Sequence, residues 1–276
     1  LMGGDCLNVG CVPSKSVIRA ARRVHEARLA RELGLGVSPD LLPDFGAAME
    51  RMRSIRARIS HDDSAARYSS EFGVDVFFGN ARFAGPGTVD VDGTALAFKK
   101  AVIATGARAT APPIEGLAEA GYLTNETVFA LTERPKRLAV IGAGPIGCEL
   151  AQAFSRLGSH VSLLEYEPQI LTREDPDAAA IVQNVLVREG VELVLGAAIR
   201  KVERKGDEKI LHFVRDERLE AIAVDEILVG AGRAPNVDGL GLESVGVDCD
   251  LRRGVKVDDR LRTTNRRIYA AGDVCM

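Results

Sequence analysis

Cys6 and Cys11 stand five residues apart in GGDCLNVGCVPSK, just before a helical stretch whose Pro13 suits a first helical turn. Two thiols at that spacing reach bonding distance while the chain still turns non-helically, and a helix N-terminus stabilises a thiolate there. The chemistry open to them is reversible dithiol–disulfide exchange. On spacing alone, two inert buried thiols is an equal reading. A metal centre is disfavoured, because neither a second cysteine pair nor a nearby histidine stands at ligand spacing. Lys15 follows Cys11 by one helical turn and shares its face, although a lone lysine there would read as a surface residue.

A second constellation is Gly142-Ala143-Gly144-Pro145-Ile146-Gly147, between the apolar run RLAVI and a helical pattern. Glycines here allow a tight turn and let backbone N–H groups at a helix N-terminus approach a pyrophosphate. Glu165 closes the next strand, 165 − 147 = 18 residues further on, where an acidic side chain accepts hydrogen bonds from an adenosine ribose. Its charge also opposes the extra phosphate of NADP, by a few kcal/mol at an effective dielectric of about 20. No arginine follows until Arg173 to compensate, so NAD is expected over NADP.

These residues need an α/β scaffold. Residues 12–33 carry Val17, Ala21, Val24 and Leu29 at near-helical spacing, and Gly34, Gly36, Pro39 and Pro43 break the pattern into a loop. A second helix is expected over about 45–70, with Arg51, Arg53, Arg56 and Arg58 forming a solvated basic face. Strands follow in VDVFFG, TVDVDG and KAVIATG, with Asp92-Gly93 as a hairpin turn. After Pro135, RLAVIG, HVSLLE and VELVLG alternate with helices at 142–158 and 176–190, the pattern of βαβ units on a parallel sheet. Residues 199–230 read as hairpins around Lys205-Gly206-Asp207, and RIYAAGD as a last strand running into a glycine turn.

Composition narrows the class. The 276 residues hold 46% hydrophobic and 27% charged side chains, which excludes a disordered chain and suggests about two domains. A net charge of −3 gives no electrostatic case for nucleic acid or an anionic membrane. No apolar run is long enough to span a bilayer and no signal-peptide pattern opens the chain. Five cysteines are too few for a secreted disulfide scaffold, so a paired set is expected to be catalytic in a cytoplasmic enzyme. Cys148, Cys249 and Cys275 read as structural.

GGDCLNVGCVPSK resembles the redox-active disulfide of the flavin-dependent pyridine nucleotide–disulfide oxidoreductases. The resemblance spans the chain: KAVIATGARA, GAGPIGCELA, GAGRAPN and RIYAAGD match further family motifs in family order. It implies two Rossmann-like dinucleotide-binding domains, with an NAD domain (134–251) inserted into an FAD domain (1–133 and 252–276). It further implies that a βαβ unit precedes Leu1 and a dimerisation domain follows Met276, making the chain an internal fragment of a homodimeric enzyme.

The same resemblance implies roles for individual residues. Cys11 would lie against the flavin as the charge-transfer thiolate, and Cys6 would be the interchange thiol that meets substrate. Lys15 and Glu149 match the family's ion pair near flavin N5, and Asp273 would hydrogen-bond the ribityl chain. The cofactor-binding positions would be Gly4, Lys15, Thr105, Gly106, Gly142, Gly144, Pro145, Ile146, Gly147, Glu165, Gly232, Arg233, Gly272 and Asp273. The expected cofactors are FAD and NAD, with no bound metal. The expected substrate is a small disulfide, a dithiol or a soft metal ion. GGDC and CVPSK lean toward mercuric reductase-like members, CLNVGC toward dihydrolipoyl dehydrogenase; a truncated, non-catalytic nucleotide-binding fragment is the competing reading.

Overall fold

The computed structural model describes residues 2–36, 38 and 43–275; Pro39 of the expected loop lies outside them. The chain forms two compact units, one of Leu1–Asp63 and Ala111–Gly232, the other of Ser64–Thr110 and Arg233–Met276.

The first unit is built on a parallel sheet ordered Glu226–Val229, Arg137–Ile141, His160–Leu164, Glu192–Val194. Helices Pro145–Arg156 and Pro176–Arg188 connect its successive strands. Strand side chains alternate between faces, so each sheet face needs its own cover. Leu138, Val140, Val161, Leu163 and Leu228 enter one apolar cluster. Ala139, Ile141, Leu164, Ile227 and Val229 enter a second one. The second cluster is closed by an antiparallel ribbon, Ala198–Lys205, Glu208–Arg215 and Arg218–Val224, through Val202, Leu211, Phe213 and Val224. The first is closed by helices Cys11–Glu32 and Phe45–Ser60, whose Val17, Ala21, Phe45, Met49 and Met52 repeat every three or four residues. Residues that the sequence assigns to the flavin segment thus share a core with the parallel sheet.

Two sequence expectations change here. The helix expected over 45–70 is two helices, Phe45–Ser60 and Ala65–Phe72. Ser64 restarts it by accepting a hydrogen bond from Arg67 N at 3.2 Å, as an N-cap does. The basic run is not simply solvated, because Arg53 Nη2 donates to Leu131 O at 2.7 Å and Arg56 Nη1 to Asn8 O at 3.0 Å. In the long helix, Leu29 is exposed.

The second unit opens with Ala65–Phe72. VDVFFG forms no strand, and its Val74, Phe77 and Phe78 are exposed; pairing starts only at Ala81. A three-stranded meander, Ala81–Gly85, Thr88–Val91 and Thr94–Ala97, contains the expected Asp92-Gly93 turn. Both turn residues have positive φ (44° and 91°), which a two-residue hairpin loop requires. Ala101–Ile103 and Ile268–Ala270, from the two alike segments KAVIATG and RIYAAGD, pair with each other in parallel. Ile103, Val237, Leu242, Val255, Ile268 and Val274 form the core of this unit. Among the described residues no helix is long and apolar enough to cross a membrane.

Candidate disulfide and dinucleotide site

Cys6 lies within the one-turn helix Gly4–Asn8, and Cys11 is the first residue of Cys11–Glu32. They are disulfide-bonded with a Cα–Cα distance of 4.5 Å, and both are exposed. The sequence expectation that Cys6 sits in non-helical chain is corrected: the non-helical part is only Val9–Gly10. In one continuous helix, positions five apart lie about 7.5 Å apart along the axis and on different faces, too far to bond. The break is therefore a condition of the disulfide.

The break releases the carbonyls before it, Asn8 O among them, from helical pairing. Val9 O would be served by residue 13 in a helix, but Pro13 has no N–H. Asn125 Nδ2 donates to Val9 O instead, at 3.4 Å. Asn8 O receives the Arg56 guanidinium. The Asn8 side chain ties the short helix back, with Nδ2 donating to Met2 O at 2.9 Å and Gly4 O at 2.8 Å. Sequence reasoning missed Arg56 and Asn125. Nothing local marks them, since their acceptors lie 48 and 116 residues away.

One turn into the long helix, Lys15 Nζ donates to both carboxylate oxygens of Glu149, at 3.0 and 2.8 Å. Glu149 sits on Pro145–Arg156, the helix opened by the glycine motif. The pair joins the disulfide helix to the fingerprint helix within one unit.

The three fingerprint glycines do different things. Gly142 turns with φ 97°, and a Cβ there would come within 2.9 Å of Gly230 O. Gly147 passes so close to Gly142 O that a Cβ would collide with that carbonyl. Beside Gly144, by contrast, lies open space. Pro145 takes the first helical position, and Ile146 is exposed. Glu165 Oε2 accepts from Ala143 N at 2.7 Å and Oε1 from Glu167 N at 3.2 Å, which fixes the carboxylate beside the turn. A tight turn, an open backbone and close helix–strand contact are what a pyrophosphate-binding turn requires, so these residues fit a dinucleotide.

Cys148, just after the motif, is buried, and its thiol donates to Ala143 O at 3.3 Å. Burial, reinforced by the nearby charges of Glu165 and Glu149, pushes its pKa up to about 11. Gly4 has open space beside it, and Gly232 ends the Gly230-Ala231 stretch that lies against Gly142.

The other candidates belong to the second unit. Thr105 Oγ1 donates to Asn236 O at 2.7 Å. Arg233 Nη2 donates to Ala107 O at 2.6 Å, and its Nε stands 3.4 Å from Asp273 Oδ2. Gly106 and Gly272 leave open space beside their backbones, and the Asp273 side chain is 60% exposed.

Residues 1–276 match the family described as pyridine nucleotide-disulphide oxidoreductase. The chain is 36% identical over 275 residues to mercuric reductase of Lysinibacillus sphaericus, covering all of this chain and 50% of that protein. It is 36% identical over 278 residues to dihydrolipoyl dehydrogenase of Thermus scotoductus, covering 99% and 59%. Among solved structures, the HOCl-induced flavoprotein disulfide reductase RclA from Escherichia coli superposes with a TM-score of 0.84. It is 30% identical, with 99% of this chain and 58% of that chain covered. The chain thus spans about half the length of the curated relatives it matches. With a nucleotide-type glycine turn, a disulfide at a helix start and a family match along its whole length, the chain belongs to the pyridine nucleotide-disulphide oxidoreductases.

Proposed function

We propose that this chain is the disulfide-bearing and nucleotide-binding part of a flavin-dependent oxidoreductase of mercuric reductase type, which draws electrons from NADH. The observation that carries this reading is the exposed Cys6–Cys11 disulfide, on a helix tied through Lys15 and Glu149 to the nucleotide-fingerprint helix.

Gly142, Gly144, Pro145, Ile146, Gly147 and Glu165 hold the NAD pyrophosphate and ribose, with Gly232 at the adjoining loop. In the second unit Thr105, Gly106, Arg233, Gly272 and Asp273 would contact FAD; the open space beside Gly106 and Gly272 suits backbone approach to a ligand. The chemistry that bound FAD supplies is two-electron exchange between nicotinamide and disulfide. The protein residues do the rest. Lys15 keeps a positive charge one turn from Cys11, and the helix N-terminus adds to it, so a thiolate is favoured at Cys11.

In the reduced state, exposed Cys6 and Cys11 lose two protons and hold a soft ion such as Hg(II) as a dithiolate. The overall balance is NADH and Hg(II) to NAD, a proton and Hg(0). With a disulfide substrate, Cys6 thiolate attacks one sulfur and expels the other as thiolate. Cys11 then attacks the Cys6 sulfur, releasing the second thiolate and restoring Cys6–Cys11. Glu165, by favouring NAD, supports dihydrolipoyl dehydrogenase as a second reading, in which the same exchange runs in reverse.

The test is NADH-dependent reduction of Hg(II), lipoamide and glutathione disulfide by the full-length protein and its Cys6→Ser variant. Hg(II) reduction lost in the variant supports the proposal. Activity on lipoamide alone favours the second reading, and activity unchanged by Cys6→Ser contradicts both.

A further inference from the structure

We infer that Arg56 and Asn125 are positioning residues that set the redox poise of the Cys6–Cys11 pair, by holding open the helix break that brings the two cysteines together. The inference rests on the reading of that pair as the redox centre.

The bond needs the chain to leave the helix at Val9–Gly10, because an unbroken helix carries the thiols apart. Leaving the helix strands the Asn8 carbonyl, Pro13 leaves Val9 O without a helical donor, and a stranded carbonyl away from water costs about as much as a lost hydrogen bond. Both are taken up by side chains from elsewhere in the same unit: Arg56 Nη1 on Asn8 O at 3.0 Å and Asn125 Nδ2 on Val9 O at 3.4 Å. Arg56 is projected by Phe45–Ser60, a helix anchored by the buried Phe45, Met49 and Met52, so its reach does not depend on the disulfide. Its bond is also charge-assisted, and therefore the stronger of the two.

Neither donor touches sulfur chemistry directly; each acts on the backbone between the cysteines. When the disulfide is reduced, these bonds keep the two thiols near bonding distance. The effective concentration of one thiol at the other stays high, and the oxidised form is favoured. Removing the donors lets residues 6–11 relax, so the disulfide becomes easier to reduce.

Arg53 supplies an internal control. It comes from the same helix and likewise binds carbonyls, those of Ala130 and Leu131, which lie far along the sequence from the cysteines. Its loss removes no hydrogen bond from the Asn8 or Val9 carbonyl.

The test equilibrates the full-length protein with dithiothreitol buffers of graded reduced-to-oxidised ratio, then alkylates and counts reduced Cys6 and Cys11 by mass spectrometry. Arg56→Ala is expected to shift the midpoint ratio three- to tenfold toward easier reduction. Asn125→Ala should shift it less in the same direction, Arg56→Lys should recover part of the loss, and Arg53→Ala should leave it unmoved. If Arg56→Ala does not fold, Arg56→Lys and Asn125→Ala decide the question by the same readout. Unmoved midpoints in the Arg56 and Asn125 variants, or an equal shift in Arg53→Ala, overturn the inference. A wild-type pair that never cycles in these buffers instead overturns the redox reading beneath it.

Discussion

Lys15 and Glu149, 134 residues apart in sequence, meet in a two-pronged ion pair that spans from the disulfide helix to the fingerprint helix. Their side chains are 62% and 44% exposed, and a pair that open to water contributes at most about 1 kcal/mol to stability. Stability is therefore a poor account of it; under the proposed function it keeps a charge one helical turn from Cys11.

Glu149→Gln should accordingly leave the melting temperature within a few degrees of wild type. It should slow NADH-dependent reduction of Cys6–Cys11 by tenfold or more, because Lys15 is released from its position. Thermal melts and stopped-flow thiol trapping separate the two effects.

The glycine motif predicts a split between two alanine variants. Gly147→Ala drives a methyl group into the Gly142 carbonyl and should destabilise the fold by several kcal/mol. Gly144→Ala meets no atom, so it should fold but lose NADH affinity where the backbone faces the cofactor. Denaturant melts and nucleotide titration on the same two proteins check this contrast.

Glu165→Gln keeps an acceptor for Ala143 N while removing the charge. At about 8 Å and an effective dielectric of about 20, that charge opposes another by about 2 kcal/mol. The ratio of NADPH to NADH affinity should rise by roughly tenfold or more, as measured by titration with each nucleotide.

Cys148 should resist alkylation in the native protein. With a pKa of about 11, only about 0.1% of it is thiolate at pH 8. Iodoacetamide at pH 8 should modify exposed Cys249 first and Cys148 only after unfolding, as read by peptide mass mapping.

Asp225 ties the start of the central strand. Its carboxylate accepts from Arg137 N at 2.8 Å and from the Arg137 guanidinium at 2.6 Å. Burial pushes its pKa up, but the Arg137 hydrogen bonds and charge outweigh that and hold it below the ordinary value of 3.8. A lowered folded-state pKa means that the stabilisation is complete above the unfolded value and lost as pH falls through the folded one. Asp225→Asn should thus be less stable than wild type at pH 7, with the gap closing below about pH 4 in urea melts.

Much of this was legible from residue patterns. RLAVI, HVSLLE and VELVLG are apolar runs whose partners are successive strands of one sheet, so their parallel order follows from alternation with helices. The glycine turn and Glu165 are local signals with a fixed offset, and the structure brings them together. Long-range pairings were not legible. Arg56 reads as one more surface arginine until Asn8 O is seen to need a donor. VDVFFG alternates like a strand, yet a strand is made by pairing, and no described residue pairs with it. Ser64 caps a new helix inside a continuous helical pattern because a side-chain acceptor outweighs propensity at one position.

The most direct test of the account counts thiols. Full-length protein carrying this chain, supplied with FAD, is treated anaerobically with one equivalent of NADH, quenched in acid and alkylated. The account predicts a gain of two alkylated cysteines per chain, mapped to Cys6 and Cys11, and no gain without NADH. A flavin that bleaches with NADH while Cys6 and Cys11 stay bonded would contradict it.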